Sequence, residues 1–265
     1  MSGAPPSGRS PWVFGLFRGY ARRYVARHIH ALRLARQGYR PDERLAGPWV
    51  VVMNHPSWWD PMIGLVLSGF WPDRIRHSAP IDSAGLAKYP FLERLGFFGI
   101  EPGTVPGGLA FLRRSLAALA QPDAVLWVTA QGRFTDPRQR PAQLEPGIGH
   151  LARRLEAGQV LPLALEYAFW TERTPEALAR FGPPIALGGP AQKSAPGEWT
   201  ARIERALEAT QDALALDAIS RDPARFETVL RGGAGVGGWY DAWRRFRAVA
   251  RGRRFVAAHG DPPNP

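Results

Sequence analysis

Four short apolar runs, each followed by a stretch with helical spacing, constrain this 265-residue chain more than anything else in it. The runs fall at residues 49–53, 75–79, 125–129 and 161–167, with helical patterns at 61–70, 84–95, 107–120 and 147–157. Strands separated by helices cannot pair through two-residue hairpins. Each needs a crossover, and a crossover makes neighbouring strands parallel. The expected fold class is α/β, a mixed and largely parallel sheet flanked by helices. A further helix is predicted over 199–219. At 45% hydrophobic content the chain has enough apolar surface for one substantial core.

The formal charge of +11 sits at the two ends. Residues 1–41 hold eight arginines and no acid, and residues 239–256 hold six against Asp241, so the body between them is slightly acidic. Aromatics accompany both basic ends: Trp12, Phe14, Phe17, Tyr20 and Tyr24 at one, Trp239, Tyr240, Trp243, Phe246 and Phe255 at the other. The pattern predicts a long helix over 12–37. At about 100° per residue, Arg18, Arg22, Arg33, Arg36 and Arg40 fall on one side of it, with Trp12, Leu16, Phe17, Tyr20 and Tyr24 broadly opposite. The expected organisation is a disordered N-terminus over 1–10, a basic amphipathic helix within 11–44, a central unit over 45–231 and a basic aromatic segment over 232–265.

Arginine and tryptophan on a moderately apolar helix suit the headgroup boundary of an anionic bilayer. The alternative is an arm that packs its aromatics on the central unit. Nucleic acid is not an expected partner, because no recognised motif accompanies the charge. The longest apolar run, "PMIGLVLSGFW" at 61–71, is well short of the roughly 18–20 residues that span a bilayer. The expected location is therefore peripheral, on the cytoplasmic face of a membrane.

Chemistry concentrates in "NHPSWWDP" at 54–61. Pro56 discourages helix through Asn54 and His55. Asp60 ahead of Pro61 reads as the N-cap of the next helix. A turn then separates His55 from Asp60 and lets the two side chains meet. A carboxylate that holds one imidazole nitrogen leaves the other to take a proton from a hydroxyl. With no cysteine there is no thiolate nucleophile, and no metal-ligand spacing such as H-E-x-x-H accompanies the six histidines.

Asn54–His55–Pro56–Ser57–Trp58–Trp59–Asp60 resembles the N-H-x4-D box of the PlsC-like glycerolipid and lysophospholipid acyltransferases. Later landmarks follow in the order that family has them. "GFFGIEP" (96–102) resembles its glycine-aromatic strand motif. "LWVTAQGRFTDPRQRP" (126–141) resembles the strand leading into P-E-G-T-R. "EPGIGHLA" (145–152) resembles a K-x-G-x-x-x-L-A helix start, and "VLPLAL" (160–165) the final V-P-V-A-I strand. The likeness spans roughly residues 45–170.

What it implies is acyl transfer from acyl-CoA or acyl-carrier protein to a lipid hydroxyl, with no cofactor besides the donor and no covalent acyl-enzyme. His55 is then the general base and Asp60 its orienting partner. Asn54, Gln131, Gly132, Arg133 and Arg138 are the expected substrate-binding residues. Gly132 is expected to offer free N–H groups to an anion, and Arg133, Arg138 and Arg140 to contact phosphate.

The chain departs from the family at the acceptor side. Pro102 stands where an arginine is usual, Gln131 where P-E-G-T has its glutamate, and Arg133 where it has threonine. A lysophospholipid is the first expected acceptor. A neutral glycolipid or glycosylated carotenoid is an alternative that does not need the missing arginine. A non-catalytic membrane-binding protein that kept the fold is a second alternative.

Overall fold

The computed structural model describes residues 10–41, 47–233 and 247. In chain order the elements are α1 (Pro11–His28), β1 (Ala31–Ala35), β2 (Trp49–Met53), α2 (Asp60–Leu67), β3 (Arg76–Asp82), α3 (Ser83–Lys88), β4 (Phe97–Ile100) and α4 (Val105–Ala118). They continue with β5 (Ala124–Thr129), α5 (Gly147–Arg154), β6 (Gln159–Ala168), β7 (Glu176–Phe181), β8 (Ile185–Ala186), α6 (Pro196–Ser220) and β9 (Phe226–Arg231). The strands form one sheet in the order β4-β3-β5-β2-β6-β7-β1-β9, with β8 paired to β6. From β4 to β6 every pair is parallel, as is β1 with β7. The β6–β7, β6–β8 and β1–β9 pairs are antiparallel. The expected α/β class and largely parallel sheet are what the chain forms.

Strand β2 shows why the core closes. Its five residues are all buried, and successive side chains leave by opposite faces. Trp49, Val51 and Met53 join a core with Phe14 and Val25 of α1 and Ile63 and Leu67 of α2. Val50 and Val52 join a second core with Phe111, Ile148, Leu151, Ile203 and Leu207, from α4, α5 and α6. Each face of the sheet is thus covered, as a strand apolar on both sides requires. Burial of a Val or Leu side chain contributes about 1.5–3 kcal/mol. On the second face α5 and α6 meet closely at Gly149. A Cβ there would lie 2.0 Å from the Pro196 carbonyl oxygen, so only glycine fits.

Two expectations about the helices need correction. The predicted helix over 12–37 ends at His28, where Ile29 turns to an extended conformation. Residues 31–35, "ALRLA", then form a fully buried strand between β7 and β9. Sheet pairing on both edges overrides a sequence made of good helix formers. Of the segment 11–44, α1 packs on the core and residues 31–35 are built into the sheet, while 42–44 lie outside the described residues.

The expected basic face disappears with the helix. Arg33 is buried and holds Glu176 through Nε (2.8 Å) and Nη2 (3.2 Å). Arg36 donates to the Ala224 carbonyl and Arg40 pairs with Glu227. The predicted helix over 84–95 is also interrupted. It becomes α3 and a separate 3-10 turn, Pro90–Leu95, because Pro90 keeps Tyr89 out of the helical region. The expected disordered N-terminus lies almost wholly outside the described residues. Of the basic C-terminal segment only 232, 233 and 247 are described.

Candidate active site

Strands β5, β2 and β6 run side by side and parallel, so their C-terminal ends open onto one edge of the sheet. Ligand sites in open α/β sheets form outside that edge. Asn54 is the first residue beyond β2 and is completely buried. Its Nδ2 donates to the Leu165 carbonyl (2.9 Å), and its Oδ1 accepts from the Leu165 N–H (2.8 Å). The side chain extends the sheet ladder by one rung. Both polar ends of this expected substrate-binding side chain are committed to β6.

His55 is held at both ends of its backbone by the segment after β5. Its N–H donates to Gln131 Oε1 (3.0 Å), and its carbonyl accepts from the Thr135 N–H (2.9 Å). Gln131 is 1% exposed and spends its other end on the Ala142 carbonyl, with Nε2 donating at 2.9 Å. A glutamate could not make that second bond as a carboxylate, because it has no donor. Gln131, an expected substrate-binding residue, thus spends both ends of its amide on the backbone at His55 and Ala142.

The imidazole meets Asp60 as the sequence predicts, with Nδ1 2.6 Å from Oδ2. Asp60 is inaccessible to solvent, while the His55 side chain keeps 17% of its surface. Asp60 is not the N-cap, however. It lies inside the first turn of α2, after Trp59, and its carboxylate faces back across the turn. There Oδ2 also accepts from the Ser57 N–H at 3.0 Å, and Oδ1 accepts from the Tyr167 hydroxyl at 2.7 Å. Three donors converge on one buried carboxylate, which keeps it an acceptor and places the imidazole proton on Nδ1. Nε2 is left as the basic nitrogen.

Tyr167 was not legible beforehand. It stands 107 residues from its partner, and nothing local marks it except its place at the end of a strand parallel to β2. Phe134 is a second residue without a sequence signal. Its ring lies on the imidazole at a centroid distance of 4.3 Å and is 60% exposed.

The expected anion contacts fall out differently. Gly132 takes a φ of 65°, the left-handed region that favours glycine, but its N–H donates to the Thr129 carbonyl (3.0 Å) and is not free. Arg133 pairs with the Gln143 side chain and Arg140 with Asp212. Arg138 makes a forked pair with Asp136, which holds the Asp136 carboxyl well below its ordinary value and raises the guanidinium. The loop carrying these residues is fastened by one stripe of α6. Glu204 accepts from the Leu144 N–H, Glu208 from the Ala142 N–H, and Gln211 donates to the Pro137 carbonyl.

Around the site the surface is aromatic. Trp58, three residues after His55, is 65% exposed and stacks edge-on with Trp59. Trp59 meets Tyr24 of α1, and from there rings continue through Tyr20 and Phe17 to Phe91. Trp12, Leu16 and Tyr20 stand exposed along α1, and Arg22, Arg23 and Arg27 of the same helix are exposed too. The other side of α1 packs on the domain through Phe14, Ala21 and Val25. Among the described residues no helix is long and apolar enough to cross a membrane.

Compared with family models, with curated proteins and with solved structures, the chain has no match.

Proposed function

We propose that the chain is an O-acyltransferase of the PlsC-like kind, working at a membrane surface. It moves a fatty acyl group from acyl-CoA or acyl-carrier protein to a lipid hydroxyl. The observation that carries this reading is the bond between His55 Nδ1 and the buried Asp60 carboxylate, with Nε2 left as the base. In the proposed reaction Nε2 takes the proton of the acceptor hydroxyl as its oxygen attacks the thioester carbonyl. The imidazolium then returns the proton to the departing thiolate. Asp60 stabilises the imidazolium and stays ionised throughout. The exposed Trp58 and, on α1, the exposed Trp12, Leu16 and Tyr20 with Arg22, Arg23 and Arg27 support docking on an anionic bilayer with the base near its surface.

A neutral acceptor, such as a glycolipid hydroxyl, is the second reading. Phe134 presents an apolar ring on the imidazole, and Arg133, Arg138 and Arg140 are each engaged by side chains of this chain. The test is thiol release from acyl-CoA by purified protein, measured against glycerol 3-phosphate, lysophosphatidic acid, a neutral lysophospholipid and a glycolipid. Transfer to any lipid hydroxyl that vanishes in His55→Ala supports the proposal. Transfer that survives His55→Ala, or no transfer to any member of the panel from either donor, counts against it.

A further inference from the structure

The Asp60 carboxylate is shared between two elements. One oxygen serves the turn after β2, through His55 Nδ1 and the Ser57 N–H. The other receives the Tyr167 hydroxyl at 2.7 Å from the end of β6. Tyr167 packs against the core on the α1/α2 side of the sheet, so the phenol approaches Asp60 from a fixed direction. A donor on Oδ1 does two things to the pair. It fixes the plane of the carboxylate, and thereby the direction in which Oδ2 holds the imidazole. It also draws part of the negative charge away from the imidazole.

We propose that Tyr167 is a positioning residue that sets both the orientation and the basicity of His55 through Asp60. The proposal rests on the reading of His55 as the base. Burial and the neighbouring carboxylate push the Tyr167 phenol well above its ordinary value, so it stays protonated and donating across the working range. With the hydroxyl gone, only His55 Nδ1 and the Ser57 N–H share the Asp60 charge. The imidazolium becomes easier to form, and the fraction of neutral base at a given pH falls.

The experiment follows the His55 imidazole by NMR in the full chain, its signal assigned by loss in His55→Ala. In Tyr167→Phe the titration should move upward by roughly 0.5–1 unit, a fraction of the about 1–3 units that a full neighbouring charge produces. Replacing Tyr167 with 3-fluorotyrosine keeps the hydroxyl and makes it a stronger donor, so the same titration should move downward. That variant also keeps the proposal testable where Tyr167→Phe fails to fold.

Other charged or titratable groups nearby are Glu166 on β6, Arg133, Asp136 and Arg138 on the loop, and Tyr24 and His28 of α1, which lie against Trp59. Glu166→Gln is the control and should leave the His55 titration in place. In assays the acid limb of kcat should follow the NMR shift, with kcat reduced about tenfold and KM nearly unchanged. An unmoved titration in both variants, with only a lower melting temperature, would make Tyr167 a packing residue and overturn the proposal. The NMR arm needs no substrate, so a failure of this proposal and a failure of the functional reading are told apart: the first shows as an unmoved titration, the second as absent transfer in the wild type.

Discussion

Asn54 binds Leu165 through both of that residue's backbone groups, across 111 positions of sequence. The contact makes a side chain behave as a strand residue, and it places His55 one step beyond the sheet. Asn54→Ala leaves a buried N–H and a buried carbonyl without partners, at a cost of about 2–5 kcal/mol. Urea unfolding should show that loss directly. Activity should fall further than the unfolded fraction explains, because His55 loses its alignment. A variant as stable and active as wild type would remove the proposed positioning role.

His55→Ala should cost about 10²–10⁴-fold in kcat with an unchanged fold, the range that a general base supplies. Asp60→Asn should be severe but milder, because an amide can still accept from Nδ1–H without stabilising the imidazolium. Circular dichroism and steady-state kinetics on the same preparations separate catalytic loss from unfolding.

The Glu166 carboxyl is pushed above its ordinary value, chiefly by burial, with Arg138 opposing and Asp136 reinforcing. A carboxyl whose value is higher in the folded state favours the fold below its unfolded value, near 4.5, and loses that contribution as pH rises through the folded value. Glu166→Gln should therefore raise the melting temperature relative to wild type at pH 7 and leave it nearly equal at pH 4. The same difference at both pH values would contradict the assignment.

Membrane docking is best tested without truncation. Deleting residues 1–37 would remove β1 from the interior of the sheet along with α1. Trp12→Ser with Leu16→Ser changes only exposed side chains. It should weaken binding to anionic vesicles at least tenfold, since each side chain that enters the apolar boundary contributes up to about 1.5–3 kcal/mol. Raised salt should weaken the wild type too, by screening Arg22, Arg23 and Arg27. Equal vesicle binding by the double variant and the wild type would remove α1 as the docking element.

The central strands were readable because residues such as Val50–Val52 and Leu161–Leu165 are buried on both faces and leave continuous apolar runs. Strands β7 and β1, beyond β6, were not. "ALRLA" in β1 and "EALARF" in β7 are rich in helix formers, and only their partners make them extended. The His55–Asp60 contact was legible because a proline turn brings the two together within six residues. Tyr167, Gln131 as a strut and Phe134 as a cover depend on contacts made across the sheet edge, and no local spacing encodes those. The N-cap reading of Asp60 failed for a related reason: Tyr167, Ser57 and His55 claim its oxygens before the helix can.

The stripe on α6 carries a consequence for how the surface beside His55 can diverge. Glu204, Glu208 and Gln211 grip the backbone at Leu144, Ala142 and Pro137, and Gln131 ties the start of the same loop to His55. Between those anchors Arg133 and Phe134 are exposed, Arg133 paired with Gln143 of the same loop and Phe134 set against the His55 ring. The loop works as a socket with interchangeable teeth. Substitutions at 133 and 134 can then be sampled while His55 keeps its register with Asp60, so the surface beside the pair can diverge without loosening it.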